Sequence, residues 1–386
     1  MLTRSGWATG VTMALCVVGA VAFGYPQLVA LATACGVALT IAGVWTMARP
    51  RLRLIRHLDR TRVTVGDDLE GTIEVTNDGR RPTGGSTASD VIGSQIVSAR
   101  IVDVALPSLG IGSSASVPYR FRTSRRGLLT VGPLTVSRAD PLGLTRSSSS
   151  SETTDLVWVY PRTYPVEPMS AGLQLSPEGA SSEFSPQGAM TFHSLREYVI
   201  GDDLRHIHWR STARTGTLMM RRYLDTTLPV GVVMLDDRGD VHTEESFEAA
   251  VEVAASLALA SARNGLPIRL VTTSGLNLDG REASERNLLD HLTAIEMGSH
   301  DSLAELARRL VRPPGRGAVV LVTGTPMPTD LATFNTVGRR FRRAALVRVD
   351  PDLGAADGDR LGGSAMTTYD VSGALDFAQQ WNSQGR

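Results

Sequence analysis

Residues 230–237 read V-G-V-V-M-L-D-D. The run is apolar nearly throughout from Val230 to Leu235 and stops at Asp236-Asp237. A strand covered on both faces reads this way, and such strands belong to parallel sheets flanked by helices. The chain beyond it agrees. Thr243 is placed to cap a helix, with Glu244 and Glu245 in the first turn, where the helix dipole favours anions. Phe247, Val251, Ala254, Leu257 and Ala258 follow at helical spacing, and Asn264-Gly265 with Pro267 ends the helix. Further buried strands are expected at Ile268–Thr272, Ala318–Val322 and Ala344–Val349. Helices are expected at Glu285–Ile295, Leu303–Val311 and Ala374–Trp381. Strands alternating with helices imply a doubly wound sheet over residues 226–386.

Upstream, residues 51–162 change to a period of two. Leu69, Gly71, Ile73 and Val75 alternate with Glu70, Thr72 and Glu74, and Val117, Tyr119 and Phe121 alternate with Pro118, Arg120 and Arg122. Asn77-Asp78-Gly79 supplies a turn. Short strands with Gly/Pro punctuation suggest an antiparallel β-sandwich-like domain. Arg80–Ser89 and the serine run Ser147–Ser151 are expected to be loops, the second a hairpin tip. Residues 163–194, rich in Pro, Ser and Gly, are expected to be an extended linker.

Residues 1–50 contain two uncharged apolar runs, Gly6–Tyr25 and Gln27–Ala48, broken at Tyr25-Pro26. Each is long enough for a helix to cross roughly 30 Å of hydrocarbon. A central charge would cost about 2.5–3.5 kcal/mol, and neither run has one. The pair is expected to form a transmembrane hairpin, since cleavage of the first run as a signal peptide would still leave the second. Arg4 precedes the hairpin, Arg49, Arg51, Arg53 and Arg56 follow it, and the turn has no basic residue. The positive-inside rule then places both ends, and the bulk of the chain, in the cytoplasm. Trp7 and Trp45 suit interfacial anchors, and the arginines suit anionic headgroups.

Composition removes several classes. The 39 basic and 39 acidic residues cancel, which argues against nucleic-acid binding. Lysine is absent from the sequence. Cys16 and Cys35 both fall in the apolar runs, so they neither staple the rest of the chain nor build a zinc site there. No phosphate-binding G-x-x-x-x-G-K-[ST] frame and no G-x-S-x-G elbow occurs.

The densest chemistry lies in Leu195–Tyr223, L-R-E-Y-V-I-G-D-D-L-R-H-I-H-W-R-S-T-A-R-T-G-T-L-M-M-R-R-Y. Charges interleaved with Tyr198, Ile200, Ile207, Trp209 and Tyr223 suggest a partly buried segment with its charges paired. Asp202 and Asp203 are expected to pair with two of Arg205, Arg210 and Arg214, making a structural clamp. His206 and His208, two apart, are expected to be structural as well. The alternative is a metal-dependent hydrolase that uses Asp202, Asp203, His206 and His208.

These blocks resemble the bacterial family called domain of unknown function 58. The resemblance rests on R-E-Y at Arg196–Tyr198, G-D-D at Gly201–Asp203, R-H-I-H-W at Arg205–Trp209, A-R-T-G at Ala213–Gly216 and R-R-Y at Arg221–Tyr223. R-R-G at Arg125–Gly127, G-P-L at Gly132–Leu134, D-P-L-G-L at Asp140–Leu144 and Y-P-R at Tyr160–Arg162 add to it. Its signature residues here are Arg196, Tyr198, Gly201, Asp202, Asp203, Arg205, His208, Trp209, Ala213 and Arg214. The resemblance implies a membrane-anchored β-domain, a von Willebrand factor A-like α/β domain, no catalytic activity, and a MoxR-type AAA+ ATPase as partner. Domains of that type often hold Mg²⁺ in a D-x-S-x-S loop after the first strand. Here Asp236 matches, but Arg238 and Asp240 replace the serines, and Thr323-Gly324 stands where an Asp-Gly would be offered. Arg238 is expected to oppose or replace the cation, leaving Asp236 and Asp240 as a degenerate site without a metal.

Overall fold

A computed structural model of the 386-residue chain describes residues 2–47, 51–93, 99–151, 153–169, 191–197, 207–224, 230–278, 284–298, 302–310, 317–350 and 366–384. Contacts divide it into two compact units. The first is Met1–Arg162 with Leu289–Ile295, and the second is Thr163–Leu288 with Glu296–Arg386.

The first unit opens with helices α1 (Arg4–Phe23) and α2 (Pro26–Met47), both long and apolar enough to cross a membrane. Thr3 caps α1, its hydroxyl accepting from Gly6 N at 3.1 Å, and Gly24 ends it in the left-handed region at φ 70°. Strands β1 (Leu52–Leu58), β2 (Arg62–Thr64), β3 (Asp68–Asn77), β4 (Ser86–Gly93), β5 (Arg100–Leu106), β6 (Ser114–Arg122), β7 (Gly127–Ala139), β8 (Arg146–Ser151) and β9 (Asp155–Tyr160) follow. They form one sheet in the order β1-β3-β6 and another in the order β2-β9-β7-β4-β5, with β8 on β7. All pairs are antiparallel except β2 with β9. The alternation read in sequence faces the core: Leu69, Ile73, Val75, Tyr119 and Phe121 of the first sheet pack with Val131, Leu134, Val157 and Val159 of the second.

Three expectations are corrected in this unit. The serine run is strand β8, paired with β7 from Leu134↔Ser151 to Ala139↔Arg146. Backbone groups pair whatever the side chain, and an outer, mostly exposed strand carries serine without cost to the core. The tip is the D-P-L-G-L turn, where the Asp140 carboxylate accepts from the backbone N–H groups of Leu142 and Thr145. Ser86–Ser89, expected in a loop, belong to β4. Arg56, expected near headgroups, is buried in the sandwich against Asp90.

In the second unit β10 (Thr191–Glu197), helix α3 (Trp209–Thr215) and β11 (Met219–Leu224) form a two-stranded ribbon with a short helix. The α/β part contains β12 (Gly231–Leu235), α4 (Glu244–Arg263), β13 (Ile268–Thr272), β14 (Asn277–Leu278), the start of α5 (Glu285–Ala294), whose residues from Leu289 on group with the first unit, α6 (Leu303–Arg309), β15 (Ala318–Thr323), α7 (Pro328–Gly338), β16 (Arg343–Val349), β17 (Met366–Val371) and α8 (Ala374–Gln384). The sheet order is β14-β13-β12-β15-β16-β17, parallel except for β14. Counting from β12, that order is 3-2-1-4-5-6. One face (Val232, Met234, Val271, Val319, Leu321, Leu346) packs on Leu303 and Leu306 of α6 and Phe334 and Val337 of α7. The other face carries α4 and α8, with Tyr369 of β17 against Phe377 and Trp381 of α8. The sheet is therefore covered by helices on both sides. Helix α7 and strands β14 and β17 are elements that sequence reasoning missed.

Candidate functional site

In an open α/β sheet ligands bind beyond the carboxyl ends of the strands, at the point where strand order reverses. Here that point lies between β12 and β15. Asp236 and Asp237 follow β12, Thr323 ends β15, and Thr273 follows β13; all four are fully buried.

Arg238 fills this position from within the chain. Its Nε donates to Asp236 Oδ1 at 2.9 Å, and its Nη2 donates to Asp236 Oδ2 at 2.8 Å and to Asp330 Oδ2 at 2.9 Å. Thr323 Oγ1 donates to Asp236 Oδ2 at 2.9 Å. Asp330 arrives from the first turn of α7, where Pro328 starts the helix and the same carboxylate oxygen accepts from Met327 N at 3.2 Å. The Arg238, Asp236 and Asp330 side chains are 8%, 1% and 11% exposed. Hydrogen bonds donated to Asp236 first, and to Asp330 next after the opposing effect of burial, raise the Arg238 pKa above its already high value, so the cation is permanent.

The neighbouring Asp237 is held separately. Its carboxylate accepts from Ser274 N at 2.9 Å and from the hydroxyls of Thr273 and Ser274. His242 Nε2 donates to the Asp236 carbonyl at 2.9 Å, and its Nδ1 lies 3.2 Å from Ser246 Oγ. Asp240, the other acid expected at a degenerate metal site, is exposed while Asp236 is buried. The donor set does not fit a divalent cation. Both oxygens of Asp236 face a guanidinium, which needs no water and carries its own charge, and the described residues hold no cluster of three or more His, Cys, Asp or Glu suited to a metal.

Burial pushes the His242 pKa below 6.5, outweighing the attraction of Asp236. The sign follows directly: below pH 6.5 the unfolded chain takes up a proton that the folded site resists, so stability falls with pH. Replacing His242 with Gln is expected to flatten the loss of unfolding free energy that begins as pH drops through 6.5. Urea melts of wild type and variant that keep parallel slopes below that pH would count against it.

The signature segment divides. Tyr198, Gly201, Asp202, Asp203, Arg205 and His206 lie outside the described residues, so the expected pairing of Asp202 and Asp203 does too. Arg196 is in β10, opposite Met220 of β11. Ile207 is buried at 6% exposure. His208 is the N-cap of α3: Nδ1 accepts from Ser211 N at 3.2 Å and lies 2.7 Å from Ser211 Oγ. That role uses the imidazole locally and argues against its serving as a ligand or base. Arg210, Ala213 and Arg214 are exposed, and Trp209 is 68% exposed, so of the residues expected to be buried Ile207 is and Trp209 is not. Gly216 ends α3 at φ 74°.

Sequence reasoning placed Asp236 and Arg238 correctly at the end of the first strand but missed Asp330, Thr273 and His242. The signal for Asp330 was P-T-D after β15, a proline at the start of a helix with an acid in its first turn.

These features define a class: a chain with two helices apt for a membrane, a β-sandwich and a doubly wound α/β sheet. Residues 194–351 match the model of the family described as "Protein of unknown function DUF58". It is 25% identical over 301 residues to the uncharacterized protein YeaD of Bacillus subtilis (strain 168), an alignment that covers 73% of this chain and 72% of that one. Among solved structures it is similar to the CARDB domain of the PF1109 protein from Pyrococcus furiosus (15% identity, 29% of this chain and 94% of that one, TM-score 0.21). It is also similar to the C-terminal domain of wzt (8% identity, 29% and 75%, TM-score 0.25). TM-scores this low leave the fold to rest on the chain's own strand order.

Proposed function

We propose that the protein is a membrane-anchored, non-enzymatic scaffold. On this reading the bulk of the chain is cytoplasmic, and its α/β unit is von Willebrand factor A-like and presents a surface to partner proteins. A MoxR-type AAA+ ATPase is the partner, and the pair acts in assembly or remodelling of protein complexes. The carrying observation is the Arg238 bridge: the ligand position of the sheet is closed by the chain's own guanidinium across Asp236 and Asp330. A site closed in this way supports interaction over turnover. The von Willebrand-like assignment is supported by the doubly wound order and by Asp236 at the end of the first strand. The orientation is supported by the arginines that flank the helices.

The test is affinity capture of the full chain from native membranes after brief cross-linking. A MoxR-type ATPase is expected to be enriched over capture with an unrelated two-helix membrane protein. If the chain is recovered intact without such enrichment, the partnership is wrong. Metal-dependent hydrolysis of ester or phosphodiester substrates by the purified full chain would instead favour the hydrolase reading and remove the scaffold one.

A further inference from the structure

The α/β unit holds a second concave feature, at the opposite end of the sheet from Arg238. It is a cleft of about 340 Å³ where β15 and β16 begin, on the α4/α8 face. That volume lies within the range of small-molecule sites, roughly 300–1,000 Å³.

Its shape follows from side-chain size. Ala318 and Ala345 form the floor, whereas Val320, Val322 and Val347 occupy the same face further along the same strands. Alanine at the strand starts leaves the space that valine fills elsewhere. One wall is the half-buried ring of Trp381, backed by the buried Tyr369, whose ring centroid lies 5.3 Å from it. Trp381 is fixed: its Nε1 donates to the Glu167 carbonyl at 2.9 Å, and its ring lies 5.4 Å from Phe377. The segment bearing Glu167 is itself tied down. Tyr164 N and Met169 N donate to Ser256 Oγ and Ser261 Oγ of α4, at 3.0 and 3.4 Å, and Glu167 N donates to Asn382 of α8 at 2.8 Å. The cleft is thus bounded by anchored elements.

Its charge is one-sided. Arg342 and Arg343 line it, are adjacent, and are exposed, and Glu167 is the one acid in the lining. Guanidinium groups bind carboxylate and phosphate in a planar, two-point manner. An aromatic wall favours a flat ring through stacking. We propose that this cleft binds a small aromatic anion, a planar ring system carrying a carboxylate or phosphate. The ring lies against Trp381, and the anionic group meets Arg342 and Arg343. The site is separate from the Arg238 bridge and does not depend on the scaffold reading.

The test is calorimetry on the full chain in lipid nanodiscs, with empty nanodiscs as blank. The probes are 1-naphthoate, which pairs a ring with a carboxylate, and adenosine monophosphate, which pairs a ring with a phosphate. At least one is expected to bind saturably with Kd below about 1 mM. Adenosine, which lacks the charge, and inorganic phosphate, which lacks the ring, should each bind at least about tenfold more weakly than the better probe. Arg342→Ala/Arg343→Ala should weaken that probe by about tenfold or more while leaving the thermal midpoint in place, because both side chains are exposed. Trp381→Phe should retain binding, since a ring remains. If neither aromatic anion saturates by about 1 mM, or if the double arginine variant binds like wild type, the proposal fails.

Discussion

Arg238→Ala is expected to lower the unfolding free energy of the α/β unit by about 3–5 kcal/mol, a fall in midpoint of about 6–20 °C. The size follows from what is left behind. Asp236 is 1% and Asp330 11% exposed, and both would lose their counter-charge while remaining out of water. An unpaired buried charge costs far more than the pair was worth, because the Coulombic term vanishes and the desolvation term stays. Asp236→Asn should be nearly as damaging, since it strands Arg238 between one carboxylate and one amide. The double variant Asp236→Asn/Arg238→Met should cost less than the sum of the single changes, as expected of partners in one network. Thermal melts of the full chain in nanodiscs, read by near-ultraviolet circular dichroism, measure all three. A shift below about 1 kcal/mol for Arg238→Ala would mean that water reaches the site and screens it. The wild-type midpoint should also be unmoved by millimolar Mg²⁺, because the guanidinium occupies the space between the carboxylates. A Mg²⁺-dependent rise that Asp236→Ala abolishes would show a cation displacing Arg238.

This site shows where sequence reading stops. Strand β12 was legible because both its faces are buried, so five consecutive positions had to be apolar or small. Strands β13, β15 and β16 were legible for the same reason, and α4 because Thr243 and its first-turn acids mark a start that the capping bond to Ser246 confirms. Strand β17 was not, because it lies at the sheet edge, where Thr367 and Thr368 face solvent and dilute the pattern. Helix α7 was masked by its threonines and asparagine, although Leu331, Phe334 and Val337 keep helical spacing. Asp330 could not be assigned to Arg238, because 92 residues separate them and only the fold brings α7 to the end of β12.

The signature segment misled in the opposite direction. Its mixture of aromatic and charged residues suggested burial, which holds at Ile207, but a short helix between two paired strands has a free outer side, and Trp209, Arg210 and Arg214 occupy it. Composition reports which residues are near in sequence. Exposure depends on which side the ribbon turns outward, and period and charge do not encode that for a helix of 7 residues.

Asp90→Ala should cost about 3–5 kcal/mol in the other unit, through a network with no claim to function. Asp90 sits on β4 of the larger sheet and is fully buried. Arg56 of β1, in the smaller sheet, reaches across the sandwich to it at 2.9 Å. The Arg56 side chain is 3% exposed, and its Nε also donates to Asp155 of β9 at 2.8 Å. Tyr119 of β6 donates its hydroxyl to Asp90 at 2.6 Å. Burial first, and that hydrogen bond second, push the tyrosine pKa far up, so it remains a donor. The ring reaches Asp90 by lying directly over Gly71, where a Cβ would come within 2.5 Å of it. Gly71, read from sequence as an ordinary inward position of an alternating strand, is therefore the space that the tyrosine needs. The network clamps the two sheets, and its parts should rank by what each deletion strands. Asp90→Ala leaves Arg56 with partners on the exposed side, Asp155 and the Thr153 carbonyl, and costs most. Tyr119→Phe removes one hydrogen bond to a carboxylate that keeps its arginine, and should cost about 1.5–3 kcal/mol. Gly71→Ala should act on the same contact by displacing the ring, so combining it with Tyr119→Phe should give less than the sum of the two. Urea unfolding of the full chain orders the variants. Equal costs for Asp90→Ala and Tyr119→Phe would show that the buried arginine contributes nothing to joining the sheets.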